Sequence, residues 1–236
     1  TLTSLKAGPF TVTATINGSS QNVTVTFIAD NNTAHIAQNA VSVEKNNALA
    51  DGTDTDRVKV IVTDAQGNPL AGQTITADAG TDVTVGTITA TNAAGETEFT
   101  LTSLKAGPFT VTATINGSSQ SVTVTFVADE NTAQNAVSVE KNNALADGTD
   151  TDRVKVIVTD AKGNPLAGQT ITADAGADVT VGTIAATNAA GETEFTLTSL
   201  KAGPFTVTAT INGSSQSVTV TFVADENTAH IAQNAV

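Results

Sequence analysis

Residues 39–133 recur at residues 135–229 with three differences, Gln66/Lys162, Thr81/Ala177 and Thr89/Ala185. A repeat of about a hundred residues means an array of whole domains, because a unit of that size buries its own core. A third, partial copy opens the chain: residues 1–34 match 100–133 apart from Asn22/Ser121, Ile28/Val127 and Asn31/Glu130. Residues 233–236 begin yet another copy. The expected organisation is the closing strands of one repeat at 1–34 and a linker at 35–38. Complete repeats follow at 39–133 and 134–229, with a linker and the start of a further repeat at 230–236. The absence of methionine marks the chain as a mature or excised piece.

Within each unit the apolar residues recur at period two. Residues 10–16 read F-T-V-T-A-T-I and residues 23–27 read V-T-V-T-F, separated by Asn17-Gly18, whose residues both tolerate the positive φ of a tight hairpin. The same hairpin returns at 109–126 and 205–222. Upstream in the unit, strands are expected at 41–43, 57–63, 73–77, 84–91 and 96–101. Turn chemistry at 64–69 (D-A-Q-G-N-P) and 93–95 (A-A-G) punctuates them. Seven short strands with no helical period predict an all-β fold of tandem immunoglobulin-like β-sandwich domains in a linear array. The expected core is Val41, Val43, Val58, Val60, Val62, Ile75, Val85, Ile88, Phe99, Leu101, Phe109, Val111, Ile115, Val122, Val124 and Phe126. The polar segment A-D-N-N-T-A-H-I-A-Q-N-A at 29–40 reads as a surface connection. Its counterpart at 128–136 is three residues shorter between near-identical domains, and loops tolerate such length changes.

Composition narrows the function. Twenty-three acidic residues against ten basic ones give a net charge of −13, which argues against nucleic acid, whose phosphates demand a basic face. No long apolar run is present to span a membrane. With no cysteine there are no disulfides and no thiolate metal sites. A Thr/Asn/Gly-rich, acidic, cysteine-free domain suits a protein that folds outside the cell. Eight Phe with neither Tyr nor Trp leave little of the aromatic surface on which protein and carbohydrate recognition commonly rely.

The stretch L-A-D-G-T-D-T-D-R-V-K-V-I-V-T-D-A-Q-G-N-P-L-A-G (49–72), followed by a G-T-I strand, G-E-T-E-F and a hairpin ending V-T-V-T-F, resembles the bacterial Ig-like (Big_1-type) repeats of the intimin/invasin family of surface adhesins. The resemblance covers both complete units. It implies an extracellular location on a bacterial surface, held by an outer-membrane anchor outside this segment. It also implies that host protein or glycan is bound by a distal domain not present here.

Candidate chemistry is sparse. Asp51, Asp54 and Asp56, with Asp147, Asp150 and Asp152 in the second unit, are spaced like part of a calcium loop. The twelfth position counted from Asp51 is Val62, where an EF-hand loop needs a bidentate glutamate. A solvated loop preceding a strand is the main reading and calcium the alternative; no other cofactor is expected. His35 and His230 read as exposed spacer residues in separate linkers. No serine is accompanied by a histidine within a complete repeat, so no Ser-His-Asp triad can be assembled. Glu96 and Glu98 alternate on one strand and face solvent. The chain therefore reads as non-enzymatic. The expected role is that of structural stalk or spacer repeats of a surface adhesin, with neighbouring repeats as the partners. Two alternatives stand: each repeat binds host receptor or matrix weakly and multivalently, or the chain forms a surface filament by strand complementation.

Overall fold

A computed structural model describes residues 1–226; His230 and the expected start of another copy at 230–236 lie outside the described residues. The chain divides into two compact units, Thr1–Val127 and Ala128–Val236.

In the first unit, β1 (Gly8–Ile16) and β2 (Ser19–Phe27) form the opening hairpin. Asn17 and Gly18 take φ of 48° and 79°, so both central residues adopt the positive φ of a type I′ turn. Then come β3 (Val41–Lys45), β4 (Asp56–Ile61), β5 (Thr76–Asp78), β6 (Val83–Val85), β7 (Glu96–Ser103), β8 (Gly107–Ile115) and β9 (Ser118–Phe126). They build two antiparallel sheets, one in the order β3-β4-β7-β6 and one in the order β5-β8-β9. This is the four-plus-three arrangement of a constant-type immunoglobulin sandwich.

Alternation explains the layering. Val58 and Val60 of β4 and Thr97, Phe99 and Leu101 of β7 face inward, with Val58 paired to Phe99 and Val60 to Thr97. From the facing sheet come Val111, Ala113, Ile115, Val124 and Phe126. Each large side chain so buried stabilises the fold by about 1.5–3 kcal/mol. Phe109 and Phe126 meet edge to face, their centroids 6.0 Å apart. Val43, Val85, Ile88, Phe109 and Val122 are only partly buried but pack against this core. On the outer face Lys59 reaches Glu96 at 3.3 Å and Arg57 reaches Glu98 at 3.9 Å.

Two strands differ from expectation. The third is Thr76–Asp78 and the fourth only Val83–Val85. The amide of Gly86 closes the ladder on Thr100 O at 2.8 Å, after which the chain leaves β7. Thr91 then exchanges backbone hydrogen bonds with residues 72–73: Gly72 N donates to its carbonyl (2.8 Å), and its own amide donates to Gln73 O (3.0 Å). Residues 86–91 therefore leave the sheet to pair with the segment ahead of β5, before the chain returns to the same sheet as β7. A crossing toward the other sheet follows β3. A bulge at Glu44 shifts the register, and Leu49 then pairs in parallel with Val127, beyond the end of β9. This crossing buries Ala48 and Ala50.

The second unit repeats the design with β10 (Gln134–Lys141), β11 (Asp152–Thr159), β12 (Thr172–Asp174), β13 (Val179–Val181), β14 (Glu192–Ser199), β15 (Gly203–Ile211) and β16 (Ser214–Phe222). Its sheets run β10-β11-β14-β13 and β12-β15-β16.

Part of the segment expected to be a surface connection is core. Ala34 is 4% exposed and Ile36 2%. His35, expected as an exposed spacer, is half-buried. It pairs with Thr63, donating its amide to Thr63 O at 3.0 Å and accepting Thr63 N at 3.1 Å. Gln134 pairs with Thr159 in the same way in the second unit. Val41 meets Val60 as Val137 meets Val156. Ala40 is fixed by Ile61 N at 2.9 Å and so corresponds to Ala136, opposite Ile157. The three extra residues are thus Ala37, Gln38 and Asn39, looped out with Asn39 at φ 64°. Ile36 occupies the buried place that Asn135 fills in the second unit, where the Asn135 side chain donates to Ala209 O at 2.8 Å.

Candidate functional site

The acidic loop is a hydrogen-bonded turn whose carboxylates serve its own backbone. Asp51 Oδ1 accepts the amides of Thr53 (2.7 Å) and Asp54 (2.8 Å), and these bonds hold its carboxyl below the ordinary range. Asp54 takes the Lys45 ammonium at 2.6 Å and the amides of Leu49 (3.0 Å) and Thr55 (2.8 Å). Lys45 first, then the amides, lower its pKa. Asp56 stands apart, fully buried at the start of β4. Its Oδ1 accepts Ala48 N at 2.9 Å, while Oδ2 has no hydrogen-bond partner. Burial pushes its carboxyl up, against the opposing effect of the Ala48 amide. Asp147, Asp150 and Asp152 reproduce each feature, including the orphaned Asp152 Oδ2. The three acids are therefore spent on different tasks: a turn, an ion pair and a buried anchor. Among the described residues no group of three or more His, Cys, Asp or Glu side chains is placed to hold a metal ion.

A shallow groove of about 510 Å³ lies beside this loop, lined by Asp51, Gly52, Asp82, Leu104 and Lys105 among others. A matching groove of about 550 Å³ is lined by Asp147, Gly148, Asp178, Leu200 and Lys201. In both the lysine is tied to the aspartate opposite, at 3.0 Å for Lys105–Asp82 and 2.9 Å for Lys201–Asp178. Neither groove converges nucleophile, base and acid. Glu96 and Glu98, the carboxylates noted in sequence, are occupied by Lys59 and Arg57. Glu96 raises the pKa of Lys59 through their hydrogen bond.

The most densely wired polar feature is the D-A-Q-G-N-P turn, which reads in sequence only as turn chemistry. Asp64 is 1% exposed. Its Oδ1 accepts the amides of Gln66 (2.9 Å) and Asn68 (2.8 Å); its Oδ2 accepts Asn68 Nδ2 (2.8 Å) and Asp30 N (3.2 Å). Burial alone would raise this carboxyl. The bonds from Asn68, Asp30 and Gln66 outweigh it and hold the pKa below normal. Asp30 in turn caps the 3-10 turn Asn31–Thr33 by accepting Asn32 N at 3.0 Å, and Thr33 Oγ1 accepts Ala65 N at 3.1 Å. In the second unit Asp160 holds Lys162, Asn164 and Asp129 alike, and Thr132 Oγ1 accepts Ala161 N at 3.1 Å. The looped-out residues 37–39 lie after these contacts. The signal available in sequence was an aspartate four residues before an Asn-Pro, which suits a turn that its own carboxylate closes.

With this geometry established, comparisons with known proteins are informative. Residues 38–127 and 134–223 match the bacterial Ig-like domain (group 1) family. The inverse autotransporter adhesin YeeJ of Escherichia coli (strain K12) is 35% identical over 246 aligned positions, covering 98% of this chain and 10% of YeeJ. The chain thus spans about a tenth of that relative's length. Among solved structures, invasin, a bacterial integrin-binding protein, superposes with a TM-score of 0.61 at 23% identity, covering 92% of this chain and 46% of invasin. InvD of Yersinia pseudotuberculosis gives 0.62 at 20% identity, over 84% of this chain and 62% of its own. The Escherichia coli adhesin FdeC gives 0.56 at 22%, over 92% and 74%. At these identities the structural likeness speaks to the fold, which is the tandem immunoglobulin-like one.

Proposed function

Because the chain belongs to the bacterial Ig-like domain (group 1) family, a family without enzymatic activity, we propose that its repeats are the structural stalk of a bacterial surface adhesin. They space a distal binding domain from the cell. The observation that carries this reading is that the two complete units present the same surface except at three exposed positions, Gln66/Lys162, Thr81/Ala177 and Thr89/Ala185. The grooves, the ion pairs and the acidic turns recur; the three substitutions leave every ion pair and acidic turn in place, and only Thr81/Ala177 touches a groove lining. Units so alike cannot divide distinct tasks among themselves. What they set is reach, in steps of about 40 Å if strands rise about 3.3 Å per residue and loops add the remainder.

On this reading the repeats stand outside the cell, carried by an anchor and a tip that belong to other parts of the protein. A host protein or glycan meets the tip. Calcium has no necessary role, since the Asp51, Asp54 and Asp56 carboxylates already have protein partners or are buried. Among the described residues no helix is long and apolar enough to cross a membrane.

The test is to incubate the purified 236-residue chain with host cells and immobilised matrix. In parallel, repeats are deleted one at a time from a surface-displayed adhesin that contains them. The expected result is no saturable binding by the repeats, and adhesion that falls with stalk length while the soluble tip keeps its affinity. Specific, saturable binding by the repeats alone would overturn the stalk reading in favour of a multivalent binding module.

A further inference from the structure

We propose that Asn68 is the reading head of a docking site that recognises the S-L-K-A loop at the base of a preceding repeat's last hairpin, through that loop's backbone. The inference deepens the stalk reading, since a spacer transmits position only if its joints hold.

The geometry is two-pronged. Asn68 Oδ1 accepts Ala7 N at 2.8 Å, and Asn68 Nδ2 donates to Leu5 O at 3.0 Å. One planar amide thus satisfies an N–H and a C=O two residues apart, which fixes the loop's orientation as well as its distance. The amide is itself held. Its Nδ2 also donates to Asp64 Oδ2 at 2.8 Å, and the Asn68 main-chain amide donates to Asp64 Oδ1 at 2.8 Å. Asp64, 1% exposed, sets which end of the amide is donor and which acceptor, because a carboxylate accepts only. It also grips the incoming chain directly, through Asp30 N at 3.2 Å.

The ligand is prepared as well. Ser4 Oγ accepts Lys6 N at 3.0 Å and donates to Lys6 O at 2.8 Å, which curls residues 4–7 and points the Leu5 carbonyl and the Ala7 amide the same way. Ser103 and Ser199 curl the equivalent loops by accepting Lys105 N at 2.9 Å and Lys201 N at 3.0 Å. Both halves recur in sequence: D-A-x-G-N-P at 64–69 and 160–165, S-L-K-A-G at 4–8, 103–107 and 199–203. The side chains of Leu5 and Lys6 take no part, and both residues are exposed. The site is therefore selective for loop shape and tolerant of sequence at those two positions.

Amide hydrogen exchange of the full chain, followed by NMR, tests this. Asn68→Ala should speed exchange at Ala7 by about tenfold and loosen the orientation of β1–β2 against β3–β9, read from residual dipolar couplings. Slow exchange in β4 and β7 should persist. Leu5→Ala should change neither reading. Ser4→Ala acts from the loop side, touches no core residue, and should speed Ala7 exchange in the same direction. If Asn68→Ala also releases the β4 and β7 amides, Ser4→Ala decides: unchanged exchange at Ala7 overturns the proposal, and faster exchange supports it. Unchanged Ala7 exchange in an otherwise intact Asn68→Ala overturns it outright. None of these readings depends on cell binding, so the docking site and the stalk fail separately.

Discussion

Gly95→Ala and Gly67→Ala are the same chemical change in the same unit, and they should differ in effect. Both glycines have left-handed φ, +73° at Gly95 and +83° at Gly67. Placing alanine there costs about 1–2 kcal/mol in either case. At Gly67 a Cβ meets nothing within 4 Å, so the backbone penalty is the whole effect. At Gly95 the Cβ collides with the Val62 carbonyl oxygen and comes 3.1 Å from Leu70 N and 3.2 Å from Pro69 Cβ. That carbonyl accepts Leu70 N at 3.0 Å, and Val62 N donates to Gly95 O at 2.8 Å. Relieving the collision means drawing the 92–95 turn away from β4, which strands a main-chain group beside the fully buried Val62. An unsatisfied buried group costs about 1–3 kcal/mol, so Gly95→Ala should destabilise by about 3–5 kcal/mol against about 1–2 for Gly67→Ala. The assay is guanidinium unfolding of the full chain by far-UV circular dichroism, because there is no Trp or Tyr to report by fluorescence. The second unit, left unmutated, is an internal reference, and Gly95→Ala should split the curve into two transitions. Gly191→Ala should reproduce it, since its Cβ meets Val158 O and lies 3.2 Å from Leu166 N. Equal losses for Gly95→Ala and Gly67→Ala would show that the turn yields freely, and the steric argument would fail.

Two further expectations follow from the same structure. Burial raises the Asp56 carboxyl above its unfolded value, so the folded state holds its proton more tightly. The stability linked to that proton is fully present below the unfolded pKa and is lost as pH rises through the folded one. Melting curves of Asp56→Asn against the unmutated chain should therefore diverge in the variant's favour as pH rises from the carboxylate range to neutrality; a difference independent of pH would refute this. Deleting Ala37, Gln38 and Asn39 should change stability by less than about 1 kcal/mol, the scale of a tolerated surface change, because β10 already runs without them. A loss of several kcal/mol by denaturant unfolding would show that the looped-out residues support the core.

Alternation made the hairpins, β4 and β7 readable, because in these stretches one face is apolar and the other threonine or charge. It failed where the chain leaves a sheet. Residues 46–50, N-N-A-L-A, bury Ala48 and Ala50 but carry no period, since the segment leaves one sheet for a parallel pairing with the other at Val127. Residues 84–91 looked like one strand because their Thr/Ile alternation persists after β6 ends at Val85. Leu70, at 2% exposure, fell between the turn at 64–69 and the strand expected from 73, and Ile36 was hidden in what read as a connection. The acids at 51, 54 and 56 were legible as a cluster, but their division of labour was not. Spacing cannot tell a carboxylate aimed at its own backbone from one turned into the core.

The hairpin shows where local encoding ends. F-T-V-T-A-T-I-N-G occurs at 10–18 and again at 109–117, with one turn geometry, φ 48° and 79° at Asn17-Gly18 and at Asn116-Gly117. Ile16 is 74% exposed, yet Ile115 is 6%. Identical residues thus make identical strands, while their burial depends on the strands laid over them. The Asn-Gly turn and the Thr-flanked alternation set the turn and register of the hairpin, which on its own is marginal in water; β3 to β7 supply the apolar cover that makes it part of a domain. That division assigns the joint to the remaining local motif. Asp64 and Asn68 sit on a turn closed by its own hydrogen bonds and braced by Asp30 and Thr33, and the loop they hold is curled by Ser4. Each half of the contact carries bonds within itself that fix its shape, and a contact between pre-shaped halves loses less entropy on forming.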